Sequence, residues 1–196
     1  MPWSGTPAAA WRVESWRGWG NAGAVSITTI QPAQTLHLVV ASFAAPRNTA
    51  AILQALQDHA RGQAASDLDP QAVAAVRAAL ATFAAEAEEE AVALRGGEAT
   101  GLGRAMDRFQ QAYDHMAALL PALHAPALAR TVQGLKAGGA LGAKFSGAGG
   151  DGNVIGLYQV PHAAREEQAW LGGLEGVQAW ICRIQRRPGG HAAAAG

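Results

Sequence analysis

A glycine-rich segment near the C-terminal end combines residue types and spacing that could bind a phosphate. Residues 142–158 read GAKFSGAGGDGNVIGLY, and Gly147, Gly149 and Gly152 match the spacing G-x-G-x-x-G of dinucleotide-binding turns. That fingerprint needs a helix directly after the glycines, because the helix N-terminus holds the pyrophosphate. Here the β-branched and aromatic run at 154–158 predicts a strand instead. A dinucleotide site is disfavoured, and two interpretations stay open: an anion-binding loop of converging backbone N–H groups, and a plain turn between strands.

Composition narrows the class of protein around this loop. The chain has 196 residues, with 15 basic and 15 acidic side chains, which suits one domain with a hydrophobic core. This balance favours neither a nucleic acid nor an anionic membrane as a partner. The single cysteine, Cys182, lies in an alternating apolar run and is predicted to be a buried side chain. With no long apolar run and no signal-peptide pattern, a cytoplasmic protein is predicted.

The order of the elements predicts an α+β fold, an antiparallel sheet with a central cluster of helices. Asp69 as N-cap and Pro70 at the first helical position are typical of a helix start, and Gly96 with Gly97 ends that helix. Strands are predicted at 23–30, 35–42, 153–159 and 177–184. Helices are predicted after residue 48 and at 70–94, 100–120, 125–136 and 162–171.

Two other polar features have simpler structural interpretations. The acidic run Glu86, Glu88, Glu89 and Glu90 lies within the second helix, with no histidine or further carboxylate placed to complete a metal cage. A solvated helix face is therefore predicted, and no metal site. His124 lies in the joint between the third and fourth helices and is predicted to be structural.

Two segments together resemble the GHMP kinases. The run AKFSGAGGDGNVIGL, residues 143–157, is similar to their third signature motif, K-L-T-G-A-G-G-G-G-C followed by a strand. The run APRNTAAIL, residues 45–53, resembles the V-P-R-N-T-x-x-L-V segment of mevalonate kinases, which also lies between a strand and a helix. The helix pair within 101–132 is similar as well. The resemblance covers residues 22–185 and is strongest to mevalonate kinase.

The resemblance implies a ferredoxin-like C-terminal domain of a kinase that transfers phosphate from ATP, with Mg²⁺, to a mevalonate-like alcohol in isoprenoid precursor synthesis. Phosphomevalonate kinase, another GHMP sugar or alcohol kinase, and a non-catalytic binding module that keeps the fold are the alternatives. Phosphoryl transfer depends on positioning and charge neutralisation. The substrate- or phosphate-binding residues that the resemblance implies are Arg47, Thr49, Lys144, Ser146, Gly147, Gly149, Gly150, Asp151 and Gly152.

Two residues depart from the usual motif. Asp151 replaces a glycine, and Asn153 replaces the cysteine. A carboxylate next to a transferred phosphate repels it unless a metal or Arg47 lies between them. Because phosphomevalonate kinases also carry an aspartate close to this position, they stay an alternative.

The motifs of the family's first domain are absent from this sequence: the ATP loop P-x-x-x-G-L-G-S-S-A, the catalytic aspartate of P-S-G-x-D, and the catalytic lysine. Residues 1–21, rich in tryptophan, are therefore predicted to be an irregular, non-homologous leader. Residues 22–186 are predicted to form the kinase C-terminal-like domain, and 187–196 a disordered tail. The chain is expected to contribute no catalytic residue, to be inactive alone, and to work with an N-terminal kinase half on another chain. The resemblance also allows a second copy of this chain as a partner, in a homodimer.

Overall fold

The computed structural model describes residues 30–44, 49–61, 69–147 and 152–185. All of its elements lie in the compact unit that begins at Gln31. The strands are β1 Leu36–Phe43, β2 Gly142–Ser146, β3 Asn153–Tyr158 and β4 Val177–Ile184. The helices are α1 Thr49–Arg61, α2 Pro70–Gly96, α3 Ala99–Leu119, α4 Pro126–Ala137 and α5 Pro161–Gly172, with a 3-10 turn at Pro121–Leu123.

The four strands form one antiparallel sheet in the order β2-β3-β1-β4. Along the chain, β1, α4, β2, β3, α5 and β4 follow the β-α-β-β-α-β order of ferredoxin-like folds. Helices α1, α2 and α3 are inserted between β1 and α4. The predicted α+β fold with a central cluster of helices is confirmed.

Helices α4 and α5 contribute to the main core, on one face of the sheet. Val39 and Ala41 of β1 and Val154 of β3 are fully buried there, in one cluster with Leu135 of α4 and Leu171 of α5. Because side chains alternate along a strand, the intervening residues of β1 and β3 point to the opposite face. A second, smaller cluster on that face joins Leu36 of β1 and Leu157 of β3 to residues of α3.

Helix α3 lies unusually close to β2, and two glycines make this possible. A Cβ atom at Gly103 would lie 2.3 Å from the carbonyl oxygen of Leu141, and one at Gly142 would lie 2.2 Å from that of Gly103. Neither distance is compatible with a side chain, since the neighbouring atoms belong to the backbone. The helix and the strand therefore meet backbone to backbone.

Most predicted elements are found with small shifts in their ends. Asp69 caps α2 by accepting from the Gln71 N–H at 2.9 Å, and Gly97 ends that helix with φ +75°. The short strand β2 was not among the predicted elements, because a five-residue run beside glycines has little pattern of its own. The predicted strand at 23–30 lies almost wholly outside the described residues.

The prediction for Cys182 was wrong, because the residue is exposed. Strand β4 is at the edge of the sheet, and Cys182 shares with Trp180 the side of the strand that faces away from the core. Trp180 is 46% exposed. The alternation of apolar residues predicted that β4 has two different sides. It did not show which of them other parts of the chain cover.

Candidate functional site

The ends of three strands meet at one end of the sheet, where the glycine loop begins. Asn153 at the start of β3 lies opposite Ser146 at the end of β2 and, on its other side, opposite Ser42 of β1. Since neighbouring strands are about 4.8 Å apart, Ser42, Asn153 and Ser146 form a row about 10 Å wide. The connection from β1 to α1 and the loop from β2 to β3 therefore leave the sheet at the same end. Strands β1 and β3 are antiparallel neighbours in this sheet.

The described part of the glycine loop has the backbone freedom that an anion cradle requires. Gly147 has φ +96°, in the left-handed region that favours glycine. A Cβ atom there would meet nothing within 4 Å, so backbone conformation rather than space requires the glycine. Gly152, at the far end of the loop, is buried. The loop thus turns sharply directly after the Ser146 hydroxyl.

The other predicted site residues are only partly described. Thr49 is the exposed first residue of α1, the helix that follows the connection from β1. Arg47 precedes it and lies outside the described residues, as do Gly149, Gly150 and Asp151. Their phosphate- or substrate-binding roles stay predictions.

Lys144 is engaged by the neighbouring helices. Its Nζ donates to Glu90 Oε1 of α2 at 2.7 Å and lies 4.0 Å from the centroid of the Phe109 ring of α3. The side chain is only 14% exposed. The ammonium group, two residues before Ser146, is therefore neutralised within the domain and stacked on an aromatic face.

The acidic run of α2 is not a uniformly solvated face, so that prediction was wrong for two of its four residues. Glu86 is buried and forms a bidentate pair with Arg108, at 2.7 and 2.6 Å, a geometry that raises the pKa of the guanidinium. Glu90 pairs with Lys144, while Glu88 and Glu89 are exposed. The cationic partners, Arg108 of α3 and Lys144 of β2, lie 22 and 54 residues along the chain from the carboxylates they bind. Among the described residues, no group of three His, Cys, Asp or Glu side chains could hold a metal.

Two side chains of α3 accept hydrogen bonds from backbone N–H groups at the outer edge of β2. Asp107 Oδ1 accepts from the Ala143 N–H at 3.1 Å, and Gln110 Oε1 accepts from the Phe145 N–H at 2.8 Å. Gln110 is buried and also donates through Nε2 to Asp114 Oδ1 at 2.7 Å. The strand that leads into the glycine loop is thereby held by side chains one helical turn apart.

The ring of Phe145, directly before Ser146, is packed by two aromatic residues. Its centroid lies 3.8 Å from that of Tyr113 and 5.6 Å from that of Phe109. Tyr113 is fixed in turn by donating its hydroxyl to the Leu123 carbonyl at 2.9 Å. Sequence reasoning missed the support by Gln110 and Tyr113. The one available signal was Gly103, since a glycine inside a helical pattern usually has a packing reason.

Comparison with known proteins gives matches in family and fold. Residues 91–171 match the family model described as GHMP kinases C terminal. The mevalonate kinase of L. major, solved with R-mevalonate, superposes with a TM-score of 0.62 at 20% identity, covering 81% of this chain and 45% of that one. The phosphomevalonate kinase of Streptococcus pneumoniae has a TM-score of 0.56 at 16% identity, covering 81% and 44%. A search of curated proteins found no match.

The resemblance seen in the sequence is thereby confirmed: residues 91–171 match the C-terminal family model of the GHMP kinases, and the described residues have the fold of the C-terminal part of such kinases. Members of this class are kinases that use ATP. The particular relatives named above establish the fold of this chain, and the chain spans less than half the length of either one. None of the described helices is long and apolar enough to cross a membrane.

Proposed function

We propose that this chain supplies the C-terminal half of an ATP-dependent small-molecule kinase of the mevalonate kinase type, which acts in isoprenoid precursor synthesis. The observation that carries the proposal is the strand register at Asn153. It puts Ser42, Asn153 and Ser146 in one row at one end of the sheet. The two segments that resemble mevalonate kinase, the Pro-Arg-Asn-Thr connection and the glycine loop, follow Ser42 and Ser146 in the sequence. Segments about 100 residues apart in sequence then serve one site.

The chemistry of these groups suits phosphate binding. The Ser146 hydroxyl and the backbone N–H groups after Gly147 would hold phosphate oxygens of ATP, because consecutive N–H groups in a glycine turn converge on an anion. Arg47 would bind the carboxylate or phosphate of the acceptor through its planar fork of donors, and Thr49 would add a hydroxyl. Lys144 joins this set only if its ammonium leaves Glu90. These groups position and neutralise, which is the protein's main task in phosphoryl transfer.

Mg²⁺ in kinases is usually held by one or two carboxylates together with the nucleotide phosphates. In this proposal the N-terminal half of the kinase supplies those carboxylates, and we derive no step through the ion. The same half would supply the catalytic aspartate and lysine. Its G-L-G-S-S-A loop would bind ATP.

The test is reconstitution. The chain is assayed for ADP formation with ATP, Mg²⁺ and mevalonate, alone and co-expressed with the reading frame directly upstream of its gene. We expect turnover only for the pair, and a decrease of about tenfold or more for Ser146→Ala, by loss of a charge-assisted hydrogen bond. Thr100→Ala, at an exposed position of α3, is the matched control and should have no effect. Turnover by the chain alone that Ser146→Ala abolishes would contradict the proposal.

Phosphomevalonate kinase is the second candidate, because Asp151 lies near an aspartate position of that enzyme class and the fold matches the enzyme of Streptococcus pneumoniae. Parallel assays with phosphomevalonate and homoserine separate the acceptors. An upstream frame without a G-L-G-S-S-A loop, together with no turnover for any acceptor, would favour a non-catalytic binding module.

A further inference from the structure

Helix α3 holds Phe145, the residue directly before Ser146, in two separate ways. Its ring is packed by Tyr113 and Phe109, at centroid distances of 3.8 and 5.6 Å. Its buried backbone N–H donates to Gln110 Oε1 at 2.8 Å. Ring packing fixes the place of the residue, whereas the directional hydrogen bond also fixes the orientation of the peptide group that precedes it.

The side-chain amide of Gln110 can hold Phe145 in only one of its two orientations. The amide oxygen accepts hydrogen bonds, whereas the amide nitrogen only donates them. A half-turn of the amide would place its NH₂ group against the Phe145 N–H, and this buried donor would lose its partner. The strand therefore depends on the orientation that presents Oε1.

Asp114, one helical turn beyond Gln110, selects this orientation. Its Oδ1 accepts from Gln110 Nε2 at 2.7 Å. An ionised carboxylate offers acceptors only, so it attracts the nitrogen of the amide and repels the oxygen. The carboxylate thus orients the amide, and the amide orients the strand.

The orientation matters because β2 ends one residue after Phe145. Ser146 is the last residue of the strand, and Gly147 turns the chain with φ +96°. A twist of the peptide group before Phe145 therefore displaces the Ser146 hydroxyl, with no intervening residue to absorb it. Displacement of a positioning group by about 1 Å can lower a rate about 100-fold.

We propose that Gln110 and Asp114 act as an orienting pair for the candidate phosphate-binding site. Asp114 sets the orientation of the Gln110 amide, and Gln110 sets the direction in which β2 presents Ser146. Both are positioning residues, because they act through the strand and are not among the groups proposed to touch phosphate. The inference rests on the proposed function for the ligand, whereas the orienting pair itself is testable in the chain alone.

The test reverses the direction of the hydrogen bond within the orienting pair. Gln110→Glu replaces the donor nitrogen with an oxygen, so two carboxylates face each other and repel. Asp114→Asn, added to this variant, supplies an amide nitrogen that donates to the new carboxylate. The other oxygen of that carboxylate is then again available to the Phe145 N–H. The double variant has the same charge and nearly the same volume as the native chain, and it should regain what the single variant loses.

In the ¹⁵N-labelled full chain alone, hydrogen exchange of the Phe145 amide reports on the orienting pair without any kinase activity. Gln110→Glu should speed this exchange about tenfold, as expected for a weakened hydrogen bond, and the double variant should reverse most of the change. The Ala143 amide, which is bonded to Asp107, is the internal reference and should not change. Gln111→Glu, at an exposed position of the same helix, is the control for added charge and should leave both amides unchanged.

In the reconstituted kinase of the proposed function, the same variants should change the KM for ATP. Gln110→Glu should raise this KM several-fold, because Ser146 is proposed to bind a phosphate of ATP, and the double variant should restore it. Partial unfolding lowers the amount of active enzyme and so lowers kcat, but it leaves KM unchanged. A change in KM therefore separates positioning from stability.

Three results would overturn the inference. The first is unchanged exchange at Phe145 in Gln110→Glu and in Asp114→Ala, a variant that removes the acceptor without adding a second carboxylate. The second is a double variant whose Phe145 amide exchanges as fast as in Gln110→Glu. The third is an active kinase in which all of these chains have the same KM for ATP. No turnover for the native chain with its upstream partner would contradict the proposed function alone, and exchange at Phe145 would still decide the orienting pair.

Discussion

The two edges of the sheet are supported to different degrees. At the β2 edge, α3 approaches to backbone contact at Gly103 and Gly142, and Asp107 and Gln110 accept hydrogen bonds from outward N–H groups. At the β4 edge, one side chain of α5 reaches the strand: Gln168 Nε2 donates to the Ala179 carbonyl at 3.1 Å. Trp180, on the face of β4 that points away from the main core, is 46% exposed. An edge with less support is more open to pairing with another strand than an edge that a helix covers closely.

The difference follows the position of the glycine loop. Strand β2 leads directly into Ser146 and Gly147, so a shift of this strand would move the proposed phosphate-binding groups. Strand β4 begins at that end of the sheet, where Gln178 lies opposite Ser42, and it carries none of the residues of the proposed site. The edge with the closest packing is therefore the one that leads into the candidate site. This is expected, because a preorganised site requires a rigid support.

The largest effect is expected where helix and strand meet. Gly103→Ala places a methyl group 2.3 Å from the Leu141 carbonyl oxygen, and relief requires a backbone shift. We expect a loss of about 2–4 kcal/mol in the free energy of unfolding, measured by urea denaturation. Gly172→Ala, where a Cβ atom meets nothing within 4 Å, is the control and should be near neutral. Equal stability of both variants would mean that α3 and β2 are not in close contact.

A smaller loss is expected from removing the side-chain acceptor at the β2 edge. Gln110→Leu has a similar volume but leaves the Phe145 N–H without its partner. This should cost about 1–3 kcal/mol and speed hydrogen exchange of the Phe145 amide. Gln111→Leu, exposed on the same helix, should do neither. Unchanged exchange at Phe145 would show that β2 does not depend on Gln110.

The carboxyl group of Asp114, in α3, should make the free energy of unfolding weakly dependent on pH. Burial raises its pKa above the ordinary value of 3.8, so the folded chain binds this proton more tightly than the unfolded chain does. Asp114 therefore favours folding below pH 3.8, and that contribution is lost as the pH rises through the raised pKa. The stability of the native chain relative to Asp114→Asn should decrease slightly over this interval. An increase with pH would mean that the charged form is the one stabilised.

The smallest effect on stability is expected at the open edge. Cys182→Ser should change the free energy of unfolding by less than about 0.5 kcal/mol, as is usual for exposed positions. The native thiol should react with Ellman's reagent almost as fast as in the urea-unfolded chain, since Cys182 is exposed. Slow reaction that becomes fast on dilution would instead indicate that a second copy covers β4, as in a homodimer.

How far the sequence predicts this domain depends on the range of the interactions. Asp69, Pro70 and Gly97 act on their own neighbours, so the ends of α2 could be predicted from them. Strand β4 was predicted with its observed ends, 177–184, because its alternation is local. Strand β2 was missed, since it depends on acceptors in α3 that are 35 and 36 residues away along the chain.

The candidate site divides in the same way. The glycine motif and the Pro-Arg-Asn-Thr segment are continuous in sequence and sufficed to indicate a GHMP kinase C-terminal domain, because a phosphate-binding turn is built from neighbouring residues. Only the tertiary structure decided that Glu86 and Glu90 are paired with cations, that Cys182 faces outward, and that α3 seals one edge of the sheet. Local pattern specifies which residues share a face. What covers that face depends on contacts between segments far apart in the chain, and their packing cannot be read from either segment alone.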